Sequence, residues 1–257
     1  MTLPVPQSVW VALGITAVLA AVHLLSPRIE RMPVTPVRDV RSFGGGVAAA
    51  YVFLYLLPRL SEGNQVVGRL LEQEVGRTPL SNLAAFGVAL LGFLAFYSLE
   101  RAARLSLPEN SRVIPAVFGL QLGVFALYSG LITYTLPTKL QAGVLPATLF
   151  AAAMSLHLLS TDHVLRERLP AGLTRARLLA LSGGAVGGWL AAVLAAPTST
   201  VLINLLTAFL GGAVLLNVFI AELPPERHSS LGWFAIGLAT YSALLAATTY
   251  LAHPGAA

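Results

Sequence analysis

Apolar residues run along this chain in blocks of about twenty, broken by short polar connections that carry most of the charge. A membrane-spanning helix needs about 20 mostly apolar residues, so each block predicts one span. Eight blocks qualify, at roughly 7–26, 43–60, 81–99, 113–136, 145–164, 177–196, 200–222 and 231–251. Pro27, Pro79, Pro137, Pro146, Pro197, Pro224 and Pro225 fall at or near block ends, where proline punctuates helices. The break between the sixth and seventh blocks rests on Pro197-Thr198-Ser199-Thr200 alone. No connection exceeds about 20 residues, too short for an independent soluble core. The expected fold is therefore an all-α polytopic membrane bundle of about eight helices, with residues 1–257 forming one transmembrane domain.

The polar connections alternate in charge. The first holds Arg28, Arg31, Arg38 and Arg41, and the third holds Arg101, Arg104 and Arg112. The fifth holds Arg166, Arg168, Arg175 and Arg177, and the seventh holds Arg227. The even connections carry only Arg59, Arg69, Arg77 and Lys139. Twelve of the 16 basic residues thus lie on one side, and basic loops mark the cytoplasmic face. With eight spans, both termini are expected outside. The absence of an organelle signal points to a bacterial-type plasma membrane.

Composition narrows the class further. Charged residues make up 11% of the chain, against about 25% in soluble domains. The net charge of +5 is spread over several loops and forms no single basic face, which excludes nucleic acid as a partner. With no cysteine, disulfides and thiolate metal sites are excluded. The first block is long enough to span and has no A-x-A site with a charged leader, so it is not read as a cleavable signal. Gly44-Gly45-Gly46, Ser182-Gly183-Gly184, Gly187-Gly188 and Gly211-Gly212 are expected to let helices approach closely.

Polar groups at membrane depth are costly and are functional candidates by default. Gln121, Tyr128 and Ser129 lie seven or eight residues apart, near one face of the fourth helix, close to Thr133 and Tyr134. The fifth helix holds His157, Ser160, Thr161, Asp162 and His163. His157 is the deepest titratable group and suits a metal or a proton. Asp162 and His163 precede Arg166, Glu167 and Arg168 and read as a solvated helix end, while His23 reads as interfacial. Glu100 beside Arg101 reads as facing headgroups, and Glu222 as still within the bundle.

The order of these pieces resembles the ZIP family of divalent-metal transporters. Residues 42–59, from Ser42-Phe43-Gly44-Gly45-Gly46 to Tyr55-Leu56-Leu57-Pro58-Arg59, look like that family's second helix. Residues 208–226, from Ala208-Phe209-Leu210-Gly211-Gly212 to Glu222-Leu223-Pro224-Pro225-Glu226, look like its seventh. The resemblance implies eight helices, termini outside, and a transport path between the second, fourth, fifth and seventh. It implies a metal site on the fourth and fifth helices. Here Tyr128-Ser129-Gly130-Leu131-Ile132 and His157-Leu158-Leu159-Ser160-Thr161 stand at those places, without carboxylate. Tyr55 and Arg59 replace a histidine and a glutamate on the second. A divalent cation needs anionic oxygens or several nitrogens to replace its water. His157 is the one metal ligand that remains, for zinc or a similar ion. The path is expected along Tyr55, Gln121, Tyr128, Ser129, Ser160, Thr161 and Glu222. The leading expectation is a transporter of a divalent metal or small solute with a degenerate metal site, not an enzyme. The expected partners are the bilayer and a second copy of the chain. The alternatives are a non-transporting interaction or regulatory protein, and a metal-dependent intramembrane hydrolase using His157, Asp162, His163 and a serine.

Overall fold

Hydrocarbon offers backbone groups no hydrogen bonds, so each apolar block must satisfy its own N–H and C=O groups and forms a helix. The computed structural model describes residues 4–29, 37–75, 83–105, 115–168, 173–195, 200–222 and 230–252. The chain is an all-α polytopic bundle, with no strand among the described residues. Eight helices among them are long and apolar enough to cross a membrane, one for each predicted block. The first span is α1 (Val5–Ile29). The second is continuous through α2 (Val37–Tyr51), a π-turn (Val52–Leu56) and α3 (Leu57–Val75). Then come α4 (Ala84–Leu105), α5 (Pro115–Tyr134), the short α6 (Leu136–Ala142) and α7 (Val144–Arg168). The last three spans are α8 (Arg175–Ala195), α9 (Thr200–Asn217) with a second π-turn (Val218–Glu222), and α10 (Leu231–Ala252).

Two boundaries differ from expectation. The second span runs to Val75, past its apolar block, because nothing in 59–75 breaks a helix. Hydropathy marks where a helix meets lipid, not where it stops. Lys139, expected in a loop, lies on α6, whose start is set by Pro137 in its first turn.

The bundle is inverted relative to a soluble protein. Leu90, Leu91, Leu94, Leu127, Leu179 and Leu194 are exposed on its outside, while His23, Gln121, His157 and Asp162 are buried within. The lipid bilayer is the environment this surface requires. Hydroxyls tie the spans together: Ser182 Oγ donates to the Ala20 carbonyl at 3.0 Å and Tyr241 Oη to that of Leu149 at 3.0 Å. Thr133 Oγ1 donates to the Ala185 carbonyl at 2.6 Å. Thr133→Val is expected to lower stability by about 0.6 kcal/mol, the usual worth of such a bond in a bilayer, measured by thermal unfolding in detergent.

Helix pairing reveals an internal repeat. Residues 43–58 and 209–224 match without a gap, sharing Phe43/Phe209, Gly45/Gly211, Gly46/Gly212, Val52/Val218, Phe53/Phe219, Leu57/Leu223 and Pro58/Pro224. The two π-turns fall at the same positions in this alignment. In the first copy, Pro58 cannot donate and its ring crowds the carbonyl four residues back, which widens the turn. Gly87, Gly92 and Phe96 of α4 likewise match Gly232, Gly237 and Tyr241 of α10.

The contacts obey the same pairing. A Cβ on Gly46 would strike the Phe234 carbonyl and the Leu238 nitrogen; one on Gly212 would strike the matching Ala89 carbonyl and Phe93 nitrogen. A Cβ on Gly237 would strike the Phe43 carbonyl, and one on Gly92 the Phe209 carbonyl. So α2 packs on α10 as α9 packs on α4. Equivalent spans are five crossings apart, and an odd separation makes them antiparallel. The second and third spans and the seventh and eighth are therefore inverted copies. The helices α5 and α7 lie between, α5 against α8 and α7 against α1.

Candidate functional site

One end of the bundle gathers arginines. Arg41 Nη1 donates to His163 Nε2 at 3.3 Å, and Arg166 Nη2 to Ser26 Oγ at 3.4 Å. These bonds join the end of α1, the start of α2 and the end of α7 on one face. Arg31, Arg112 and Arg227 belong to connections outside the described residues, as do Arg77, Glu226 and His228.

Just inside this face lies a polar cluster. His23 Nδ1 is 3.0 Å from both carboxylate oxygens of Asp162, and both side chains are about 1% exposed. An ionised Asp162 carboxylate only accepts, and Nδ1 then carries the proton. On the other side of the ring, His23 Nε2 is 3.1 Å from Ser129 Oγ. The Ser129 hydroxyl has a second acceptor, the Phe125 carbonyl at 3.1 Å. With the ring neutral, the hydroxyl turns to Nε2; with the ring doubly protonated, Nε2–H donates to Oγ and the hydroxyl turns to Phe125. The cluster can hold one proton more or less while His23 keeps its bonds to Asp162 and Ser129; only the bond from Ser129 to Phe125 is made or given up. It corrects two expectations. His23 is not interfacial, and Asp162 is not at a solvated helix end. The ends of α1, α2 and α7 close over them, so closeness to a helix terminus does not mean contact with water.

Of the expected path residues, Tyr128 and His157 meet directly. Tyr128 Oη is 3.0 Å from His157 Nε2, and both are buried, with Phe96 edge-on to the Tyr128 ring. Ser129 belongs to the His23 cluster. Thr161 is buried and Ser160 half-buried beside Asp162 on α7. Gln121 is buried, and its Oε1 has no hydrogen-bond partner among the described residues. Tyr55 lies apart, toward the opposite face. Glu222 ends the second π-turn, and its side chain lies outside the described residues. No group of three or more His, Asp or Glu side chains converges as a metal site among the described residues. Glu100 receives Arg104 Nε at 2.8 Å.

The opposite face opens inward. A cavity of about 770 Å³ is lined by Tyr55, Arg59 and Glu62, by Thr135, Lys139 and Gln141, and by Asn204 and Thr207. Below it lies a space of about 20 Å³, reached past Thr135, Lys139 and Thr207 and floored by Tyr51, Ile132, Met154 and Val214. That volume suits about one water molecule. One turn deeper come Tyr128 and His157. The two spaces together are walled by the second, fourth, fifth and seventh spans, with α1 and α8 flanking the mouth.

Sequence reasoning did not pair His23 with Asp162, nor assign Lys139, Asn204 and Thr207 to a cavity. The available signals were the buried-type spacing of Ser8, Thr16, His23 and Ser26 on α1, and the repeat between residues 43–58 and 209–224. No protein-family model matches this chain, and a search of curated proteins returns no match.

Proposed function

We propose that the protein is a ZIP-like transporter of a small solute, set in the plasma membrane with both termini outside and its arginine-rich face in the cytoplasm. The observation that carries this reading is the cavity entering from the Arg59–Lys139 face and narrowing between the second, fourth, fifth and seventh spans. Below the narrowing lie the only buried imidazoles among the described residues that reach other helices' polar side chains, His157 and His23. Inverted repeats support it, because transporters commonly bind substrate between such halves and use broken helices there. The paired π-turns are breaks of that kind. The segments that resemble the ZIP second and seventh helices are the two copies of the repeat.

A resident or transported divalent metal finds weak support. His157 faces a tyrosine hydroxyl, and the sole carboxylate of the polar cluster is engaged by His23. A hydrolase reading draws on the Ser129–His23–Asp162 order, which is that of an acyl-transfer triad. Against it, Ser129 sits in mid-helix, where neighbouring N–H groups are spent in the α5 ladder and none is left to hold an oxyanion. Proton exchange is the chemistry the cluster supports. The close packing around Tyr128 and His157 favours the second reading, a non-transporting relative.

Liposome uptake separates the two. Purified protein is expected to take up one of a panel of zinc, iron, manganese, cobalt, lactate, acetate and phosphate above the level of empty vesicles. His157→Ala is expected to reduce that uptake at least tenfold. No uptake of any of these would leave the non-transporting reading.

A further inference from the structure

We propose that the cavity on the Arg59–Lys139 face is a binding site for a small oxyanion, such as a carboxylate, with Lys139 supplying the charge. This takes the cavity from the transport reading above, and it gives that cavity a substrate class.

The charge of the lining is the first argument. Arg59, Lys139 and Glu62 are the ionisable side chains of opposite sign that line it. Arg59 Nη1 donates to Glu62 Oε2 at 3.1 Å, so those two neutralise each other. Lys139 is left as one positive charge in excess. It pairs with no carboxylate among the described residues. Its Nζ lies 4.6 Å from the centroid of Phe150 and 5.9 Å from that of Tyr55. Aromatic faces hold an ammonium in place without discharging it.

Topology is the second argument. Basic residues are disfavoured on the translocated side of a membrane protein. This chain carries few there, and two of them, Arg59 and Lys139, are brought to one cavity from different spans. Lys139 is also its only lysine. A compact ammonium on a flexible stem suits a ligand that must be released, whereas a guanidinium fork holds oxyanions more tightly.

The surroundings are the third argument. Thr138 and Thr207 bring hydroxyls, and Asn204 and Gln141 bring amides, enough donors to hold oxygens beyond the one Lys139 meets; the Thr135 hydroxyl is given to the Ile132 carbonyl. A divalent cation entering here finds the one lining carboxylate, Glu62, already bound to Arg59, and the Lys139 charge uncompensated. The same charge draws an anion in and concentrates it.

Calorimetry on the detergent-solubilised full chain tests this with sodium lactate, acetate, phosphate and sulfate, and with zinc chloride as the contrasting cation. At least one oxyanion is expected to bind saturably, and zinc is not. Lys139→Met is expected to weaken that oxyanion at least tenfold, and Lys139→Arg to keep the affinity or raise it. Wild-type elution and melting of both variants would show that folding is intact. Saturable binding of none of the four oxyanions overturns the proposal, as does unchanged affinity in Lys139→Met. Oxyanion binding without uptake in liposomes would keep the site and defeat transport. Uptake of zinc or manganese unaltered by Lys139→Met would keep transport and defeat the site.

Discussion

Gly212→Val is expected to prevent the bundle from closing. A Cβ at Gly212 would overlap the Ala89 carbonyl and the Phe93 nitrogen, and these are backbone atoms that no rotamer change can move aside. Relief requires α9 and α4 to separate along their length, and with them the other contacts of that interface. Overpacking of a close interface typically destabilises by about 1–3 kcal/mol, and backbone overlap belongs at or above the upper end. The purified variant should lose its monodisperse elution peak. Gly46→Val should do the same, because Gly46 makes the matching approach to Phe234 and Leu238. Gly187→Ala is the control: nothing lies within 4 Å of where its Cβ would stand, and alanine is the better helix former. Wild-type elution and melting of Gly212→Val would refute the close approach of α9 to α4.

Asp162→Ala is the second large effect. It leaves the buried His23 ring without its acceptor, and breaking one partner of a buried pair costs about 3–5 kcal/mol. Asp162→Asn retains an acceptor of the same shape and should cost less. The double variant His23→Phe with Asp162→Leu replaces both partners by apolar groups. It should recover most of the lost stability, since such replacements are often neutral or stabilising. Uptake, where the wild type shows it, should stay absent in the double variant. Thermal unfolding of the two single variants and the double variant gives the coupling. A double variant no more stable than Asp162→Ala would mean that His23 and Asp162 do not act as a pair.

The architecture was legible because a span is a local property. Twenty apolar residues make a membrane helix wherever they occur, and the observed helices cover all eight predicted blocks. The site was less legible because it is made between helices. His23 and Asp162 are 139 residues apart, and each sits near the end of its own helix. Only the neighbouring ends of α1, α2 and α7 decide that both are dry. Lys139 looked like a loop residue because α6 is seven residues long and its block is too short to register as apolar. The repeat is written in the sequence, yet reading each span for its own hydropathy does not bring Phe43-Gly44-Gly45-Gly46 beside Phe209-Leu210-Gly211-Gly212. It emerges when equivalent glycines are seen meeting equivalent carbonyls.

The crossed pairing of the two copies has a consequence for biogenesis. Helices of a membrane protein insert one by one and associate afterwards. Here α2 finds its main partner in α10, and α4 finds its own in α9. The amino-terminal copy therefore enters the bilayer with its glycine faces bare, and keeps them so until residues 200–252 have been synthesised. The duplication did not make two units that fold separately. It made two halves of one clasp, and a chain cut short before the last two helices would leave α2 and α4 without their main partners.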